Sequence, residues 1–148
     1  MFLRVLLLLA SVSLLVGCGT TREVRLGRVE SVPSLHSAAL VPREGNSNDM
    51  DEHLSAALEA HGMALKAPLR AGTRKAADVD LIVTYDDVWR WDVVMYLQSL
   101  TIRFYAGASG TLLATGRWEN SALHGLQDAG AVTREVVDDM VTRLQAAR

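Results

Sequence analysis

Three neighbouring runs of alternating apolar and polar residues lie between Asp80 and Asn120. Their apolar members are Leu81, Val83, Tyr85, Trp89 and Trp91 in the first run, Leu100, Ile102 and Phe104 in the second, and Leu112, Ala114 and Trp118 in the third. Because successive side chains of a strand point to opposite faces of a sheet, each run predicts a strand with one buried face and one wet face. The three strands together predict a meander, which constrains the architecture and leaves the activity open.

Two amphipathic helices are predicted on either side of the meander. The first is expected to begin at Asn48 or Asp49, which are good N-cap residues, and to stop at Gly62. The second is expected to follow Asp128, which can cap it. Their apolar stripes contain Met50, Leu54, Ala57, Leu58 and His61 in the first helix and Thr133, Val136, Val137, Met140, Val141 and Leu144 in the second.

These elements indicate an α+β fold. Short strands are also predicted over residues 37–41 and 63–67. Two helices with one apolar stripe each and a sheet with one apolar face bury these surfaces together when both helices lie on one face of the sheet. We therefore predict a two-layer sandwich with a mixed or antiparallel sheet of about four to five strands. A single domain over residues 35–148 is expected to fold without the preceding residues.

The N-terminal residues 1–17 are typical of an export signal. Arg4 gives a positive start, and Val5 to Val16 are apolar apart from two serines, a run shorter than the ~20 residues of a membrane-spanning helix. The run ends in Leu15-Val16-Gly17-Cys18, which resembles the lipobox of bacterial lipoproteins. The resemblance implies diacylglycerol on the Cys18 thiol, cleavage after Gly17 and acylation of the new amino group. The alternative is an ordinary secretory signal with an incidental cysteine.

Cys18 is the only cysteine, which excludes a disulfide within the chain. Gly19 follows it, where many lipoproteins of the inner membrane carry an aspartate, so the resemblance implies an outer-membrane protein that faces the periplasm. Residues 18–34 are expected to form an irregular tether, because they hold few large apolar residues and no sustained period.

The formal net charge of −2 does not provide the basic field that gathers nucleic acid. The lipobox resemblance implies the membrane as a partner, through lipidated Cys18, and we also expect a protein partner in the envelope.

The segment from Ala77 to Tyr85, ADVDLIVTY, leads from an alanine-aspartate pair into an aliphatic strand. With the lipobox before it and the meander after it, this segment is similar to several families of small bacterial lipoproteins with uncharacterised domains. The similarity covers residues 35–146 in outline. It implies a small envelope domain and brings no catalytic residues with it.

Candidate metal ligands do not have the spacing of a known site. His53 and His61 are two helical turns apart, too far to share an ion as an i, i+4 pair does. Asp86, Asp87 and Asp92 lack the regular oxygen offsets and the glycine turn of a calcium loop. Charges that discourage pairing at a strand edge explain these carboxylates better. We predict neither a metal nor a cofactor.

A catalytic triad of Ser121, His124 and Asp128 can be drawn on paper, but no nucleophile elbow surrounds the serine. Gly107 and Gly110 lie in a predicted turn between strands, and no helix or GK[ST] motif follows to make a phosphate loop. We predict that the protein is not an enzyme.

An apolar group is predicted at the hairpin tip between the first two strands of the meander. It consists of Trp89, Trp91, Val93, Val94, Met95 and Tyr96. If the strands extend beyond the helices, these side chains are exposed together and form a contact surface for a partner protein or a lipid surface. The alternative is that the rings cap the open end of the core.

Three classes of function follow from these observations. The first is a membrane-anchored lipoprotein that acts as an interaction or structural module. The second is a carrier module that binds a lipid, glycan or peptide in a groove of the sheet, and the third, with least support, is an envelope hydrolase. An exposed apolar patch favours the first class, an enclosed apolar cavity the second, and converging polar side chains the third.

Overall fold

The structure, a computed structural model, describes residues 19–29, 31–121 and 125–148. The predicted signal peptide, Cys18 and His124 lie outside these residues. The elements in chain order are β1 (Thr21–Leu26), β2 (Ser37–Leu40), α1 (Asn48–Ala60), β3 (Ala64–Leu65), β4 (Leu81–Trp91), β5 (Met95–Ala106), β6 (Leu112–Glu119) and α2 (Ala129–Ala146).

The described strands form one six-stranded sheet in the order β1-β6-β5-β4-β2-β3. β2 runs parallel to β3 and β4, and the other pairs are antiparallel. The predicted meander is the antiparallel β4-β5-β6 unit at the centre. The predicted α+β fold is confirmed, with a sheet slightly larger than expected.

The additional strand, β1, lies in the segment that was expected to be a tether. Thr21 to Leu26 pair antiparallel with β6, and Val24 is buried against the core. The prediction was wrong for these residues because Val24 is the only buried side chain of β1, so no apolar alternation marks it. The folding of residues 35–148 without this strand stays a prediction.

The main core lies between the sheet and both helices. Both predicted stripes are buried in it apart from the half-buried His61. α1 begins at Asn48 as predicted, and its N-cap is Ser47 rather than Asn48 or Asp49. Asp128 caps α2 as predicted, since its Oδ1 accepts from the backbone N–H of Ala131 at 2.6 Å. His61 follows the last residue of α1 as its C-cap, and its Nε2 lies 2.7 Å from Asp138 Oδ1 on α2. A hydrogen bond between side chains thus joins the two helices at the rim of the core.

α2 approaches the backbone of β6 at Gly116. A Cβ atom on this glycine would lie 2.5 Å from both Met140 Sδ and Val136 Cγ1. These distances are far inside van der Waals contact, so the absence of a side chain at Gly116 sets how closely α2 packs on the sheet.

A smaller apolar cluster lies on the opposite face of the sheet. Its buried members are Ala39, Val41, Val79 and Ile82, with Leu69, Ala76 and Tyr105 packed against them. Because β4 begins between this cluster and the main core, Leu81, Ile82 and Val83 are all buried. The loop between β3 and β4 covers only part of this face, and a groove remains beside it.

Candidate contact surface

The β4–β5 hairpin contains a bulge that the sequence does not reveal. Val88 pairs with Ser99, but the next pair is Trp89 with Leu97, which leaves Gln98 as an extra residue in β5. After the bulge, the buried residues of β5 are even-numbered, from Leu100 to Ala106. Before it, the odd-numbered Leu97 is buried, because the bulge reverses the alternation of the strand.

β4 keeps its alternation through this point. Trp89 therefore packs against the same core as Leu81, Val83 and Tyr85, as the sequence predicts. Its indole Nε1 donates to Asp87 Oδ2 at 2.7 Å, which fixes the ring. Leu112 was expected on the buried face of the third strand, and this prediction was wrong. A second bulge, at Leu113, places Leu113 in the buried position on β6 and leaves Leu112 exposed.

Beyond Trp89 the hairpin extends past the helices. Trp91 is 71% exposed, Val93 84%, Val94 42% and Met95 55%. We call these four residues the hairpin tip. Trp89 and Tyr96, which the sequence groups with them, are only half-buried and belong to its base. Trp89 thus packs against the core and Trp91 lies outside it, and contact of the exposed residues with a partner stays a prediction.

The carboxylates at the base of the tip point to opposite faces of the sheet. Asp86 forms ion pairs with Arg43 and Arg103 on the face without helices, the latter at 2.5 Å. Asp87 Oδ2 instead accepts from the backbone N–H of Ser47 at 3.1 Å, at the start of α1. The described residues contain no group of three or more His, Cys, Asp or Glu side chains placed to hold a metal ion.

Tyr85 links the centre of the sheet to the first turn of α1. Its hydroxyl donates to Asp51 Oδ1 at 2.6 Å. Burial of the phenol, together with this carboxylate, raises the pKa of Tyr85 well above its ordinary value. Sequence reasoning missed this contact, because nothing local relates residues 34 positions apart.

The three residues from which a triad can be drawn on paper are not shown to converge among the described residues. Asp128 is occupied as the α2 cap, Ser121 follows β6 in a half-buried position, and His124 is not among the described residues.

An open groove of about 630 Å³ lies on the face of the sheet without helices. Arg43, Arg74 and Arg103 line it together with Thr84, Tyr105 and Glu44. Val41, Ile82 and Ala71 add apolar surface to its lining. Sequence reasoning missed this groove, because its members come from four separate segments of the chain.

Comparison with known proteins identifies a shared fold. No protein-family model matches the chain, and no curated protein matches it. Two crystal structures of the PelC dodecamer from Paraburkholderia phytofirmans, one of a variant, are 12% and 13% identical to this chain with TM-scores of 0.53 and 0.52. Each match covers 85% of this chain and 98% of the PelC chain. At this identity the similarity shows the fold alone.

A distant structural neighbour is a minor lipoprotein from Acinetobacter baumannii. It is 17% identical, the match covers 77% of this chain and 90% of that chain, and the TM-score is 0.32. That score is too low to support an argument. Among the described residues, no helix combines the length and apolar character needed to cross a bilayer.

Proposed function

We propose that this chain is a lipid-anchored protein of the bacterial envelope that acts as a non-enzymatic interaction or structural module. Cys18 would hold it at the outer membrane, with the domain in the periplasm. The observation that carries the proposal is the hairpin tip, where four large apolar side chains are exposed together on a domain that follows a lipobox. Such a patch is typical of a surface that contacts another molecule.

Physical chemistry supports Cys18 as the anchor. Each buried methylene of an acyl chain contributes roughly 0.8 kcal/mol to membrane binding, so several chains on one residue hold a protein firmly. This domain would then need no membrane-spanning helix of its own.

Copies of the same chain are the proposed protein partner. Two structures of similar fold are PelC dodecamers, which supports self-assembly. β1 lies at the end of the sheet order, so its outer edge presents backbone N–H and C=O groups to a neighbour.

Expression of the full chain in a Gram-negative host with labelled fatty acid tests the anchor. We expect the label on the protein and the protein in the outer-membrane fraction, with Cys18→Ser unlabelled and released or unprocessed. Crosslinking in mild detergent then tests assembly, and higher-order products are expected. An unlabelled wild-type chain would refute the anchor, and a strictly monomeric labelled chain would refute self-assembly alone.

The groove favours a second candidate, a module that binds an anionic glycan or peptide. Arg43 and Arg103 share the single carboxylate of Asp86, and Arg74 adds a third guanidinium to the lining. Guanidinium groups suit carboxylate ligands because they donate two parallel hydrogen bonds.

Titration with an acidic oligosaccharide would test this candidate. We expect binding that weakens on Arg74→Gln and survives Arg134→Gln, an exposed control on α2. Equal affinity in both variants would argue against the groove.

A further inference from the structure

A row of paired residues places the hairpin tip and the N-terminus at the same end of the sheet. The row contains Thr21 of β1, Glu119 of β6, Ser99 of β5 and Val88 of β4. β4 runs from this row towards the tip. β1 runs away from it, so the chain leading back from Thr21 to Gly19 continues in the direction of the tip.

The attachment point predicted for lipid precedes this row by a short stretch of chain. Cys18 precedes Thr21 by three residues, which span at most about 10 Å of chain. Trp91 follows Val88 by three residues, a rise of about 10 Å along a strand. β1 and β4 are three strand spacings apart, or about 14 Å. The acyl chains on Cys18 can therefore reach the same level as Trp91.

The exposed large apolar side chains gather at this end. Of those in the described residues, Val88, Trp91, Val93, Val94, Met95 and Leu126 are at or beyond the row, whereas Leu26 and Leu112 lie at the opposite end. Leu126 is placed here by Asn120, whose Nδ2 donates to the carbonyls of Leu97 at 3.2 Å and Gly125 at 3.5 Å.

We propose that the hairpin tip inserts into the interfacial layer of the bilayer and acts as a second anchor beside the lipid on Cys18. This inference rests on the proposed function, because the lipid is what holds this end against the membrane. Tryptophan prefers the membrane–water interface, where its ring meets acyl chains and its N–H meets water. One attachment beside β1 and one at the end of β4, strands about 14 Å apart, restrict the tilt of the domain and direct the strands away from the bilayer.

Charge does not drive this contact. Arg90, which precedes the tip, and Asp92, which lies within it, carry opposite signs. Electrostatic attraction between these residues and an anionic lipid surface would therefore be weak. Insertion therefore depends on apolar burial, and salt has little influence on it.

Single labels on the full lipidated protein test the inference, since acylation leaves the chain without a free cysteine. Val93→Cys carries an environment-sensitive fluorophore at the tip. Ala108→Cys carries it in the exposed turn between β5 and β6, at the opposite end of the sheet. Both proteins are reconstituted in phosphatidylcholine vesicles, and quenching is measured with aqueous iodide and with a nitroxide on the lipid acyl chain.

We expect the label at position 93 to be quenched by the lipid nitroxide and protected from iodide about tenfold relative to the label at position 108. High salt, about 1 M, should leave this protection unchanged. Iodide access at position 93 equal to that at 108 would overturn the inference. Protection from both quenchers would also overturn it, because a second copy would then cover the tip.

The mass of the Cys18 peptide separates this inference from the proposed function. An acylated, vesicle-bound protein with an accessible label at 93 refutes the second anchor and leaves the proposed function standing. A peptide without lipid refutes the proposed function itself.

Discussion

The hydroxyl of Tyr85 donates a hydrogen bond to Asp51 Oδ1 at 2.6 Å, and this contact ties α1 to the central strand of the sheet. The phenol is buried, and only its neutral form can donate to the carboxylate. The two residues thus make the position of the helix sensitive to alkaline pH.

Tyr85→Phe is expected to change the pH dependence of unfolding. Burial and Asp51 raise the pKa of Tyr85 in the folded state, whereas the unfolded chain titrates near the ordinary value of about 10. The contribution of the neutral phenol is therefore complete below that value, and stability falls as the pH rises above it. Urea melts between neutral and alkaline pH should show a shallower decline for the variant, and parallel curves would contradict this account.

Asp80 is expected to contribute to stability at neutral pH and to lose this contribution in acid. Burial alone would raise its pKa, but backbone N–H donors of His36 at 2.8 Å and Ser37 at 3.1 Å outweigh burial and lower it. The contribution is present above the pKa of an unfolded aspartate and disappears as the pH falls through the lowered folded value. Asp80→Asn should flatten the acid limb of the stability profile. Asp78→Asn, at an exposed neighbour, should leave it unchanged.

Trp118 on β6 and Trp91 at the end of β4 should differ sharply on truncation. Trp118 is 4% exposed and Trp91 is 71% exposed. We expect Trp118→Ala to cost about 3–5 kcal/mol of the free energy of unfolding. Trp91→Ala should cost less than about 1.5 kcal/mol. Equal and large losses in urea melts would place Trp91 in the core and remove the basis for a contact surface.

Gly116→Ala should destabilise the fold by about 1–3 kcal/mol, because the new methyl group overlaps Met140 and Val136. The mechanism predicts that Met140→Ala, made together with it, costs less than the sum of the two single changes. Thr115→Ala, at the next position of the same strand, is the matched control. Additive losses would show that the two side chains do not compete for this space.

The sequence predicted the elements whose burial repeats along the chain. The alternation of β4 and the stripes of both helices are such cases, because each is a local pattern with several buried members. β1 has one buried side chain and therefore no pattern. The bulge at Gln98 also has no sequence pattern that predicts it, because it is defined only by the pairing of β5 with β4.

The candidate site was predicted only where its residues are close together in the sequence. The apolar group at the hairpin tip is contiguous in sequence, so its members could be named from the sequence. Their division between the half-buried Trp89 and the exposed Trp91 depends on where the helices end. The groove is formed by loops and strands that only the fold brings together, so no local sequence pattern predicts it.

The pairing of Thr21 with Glu119 also sets an order of events. A chain is made from its N-terminus, so β1 is among the first segments completed, yet its partner β6 is among the last. The β4–β5 hairpin can form earlier, because the loop between these two consecutive strands is short and its closure costs little entropy. We expect pulse-labelled hydrogen exchange during refolding to protect the amides of β4 and β5 before those of β1. Until β6 is complete, β1 has no strand of its own chain to pair with and is open to capture by another chain.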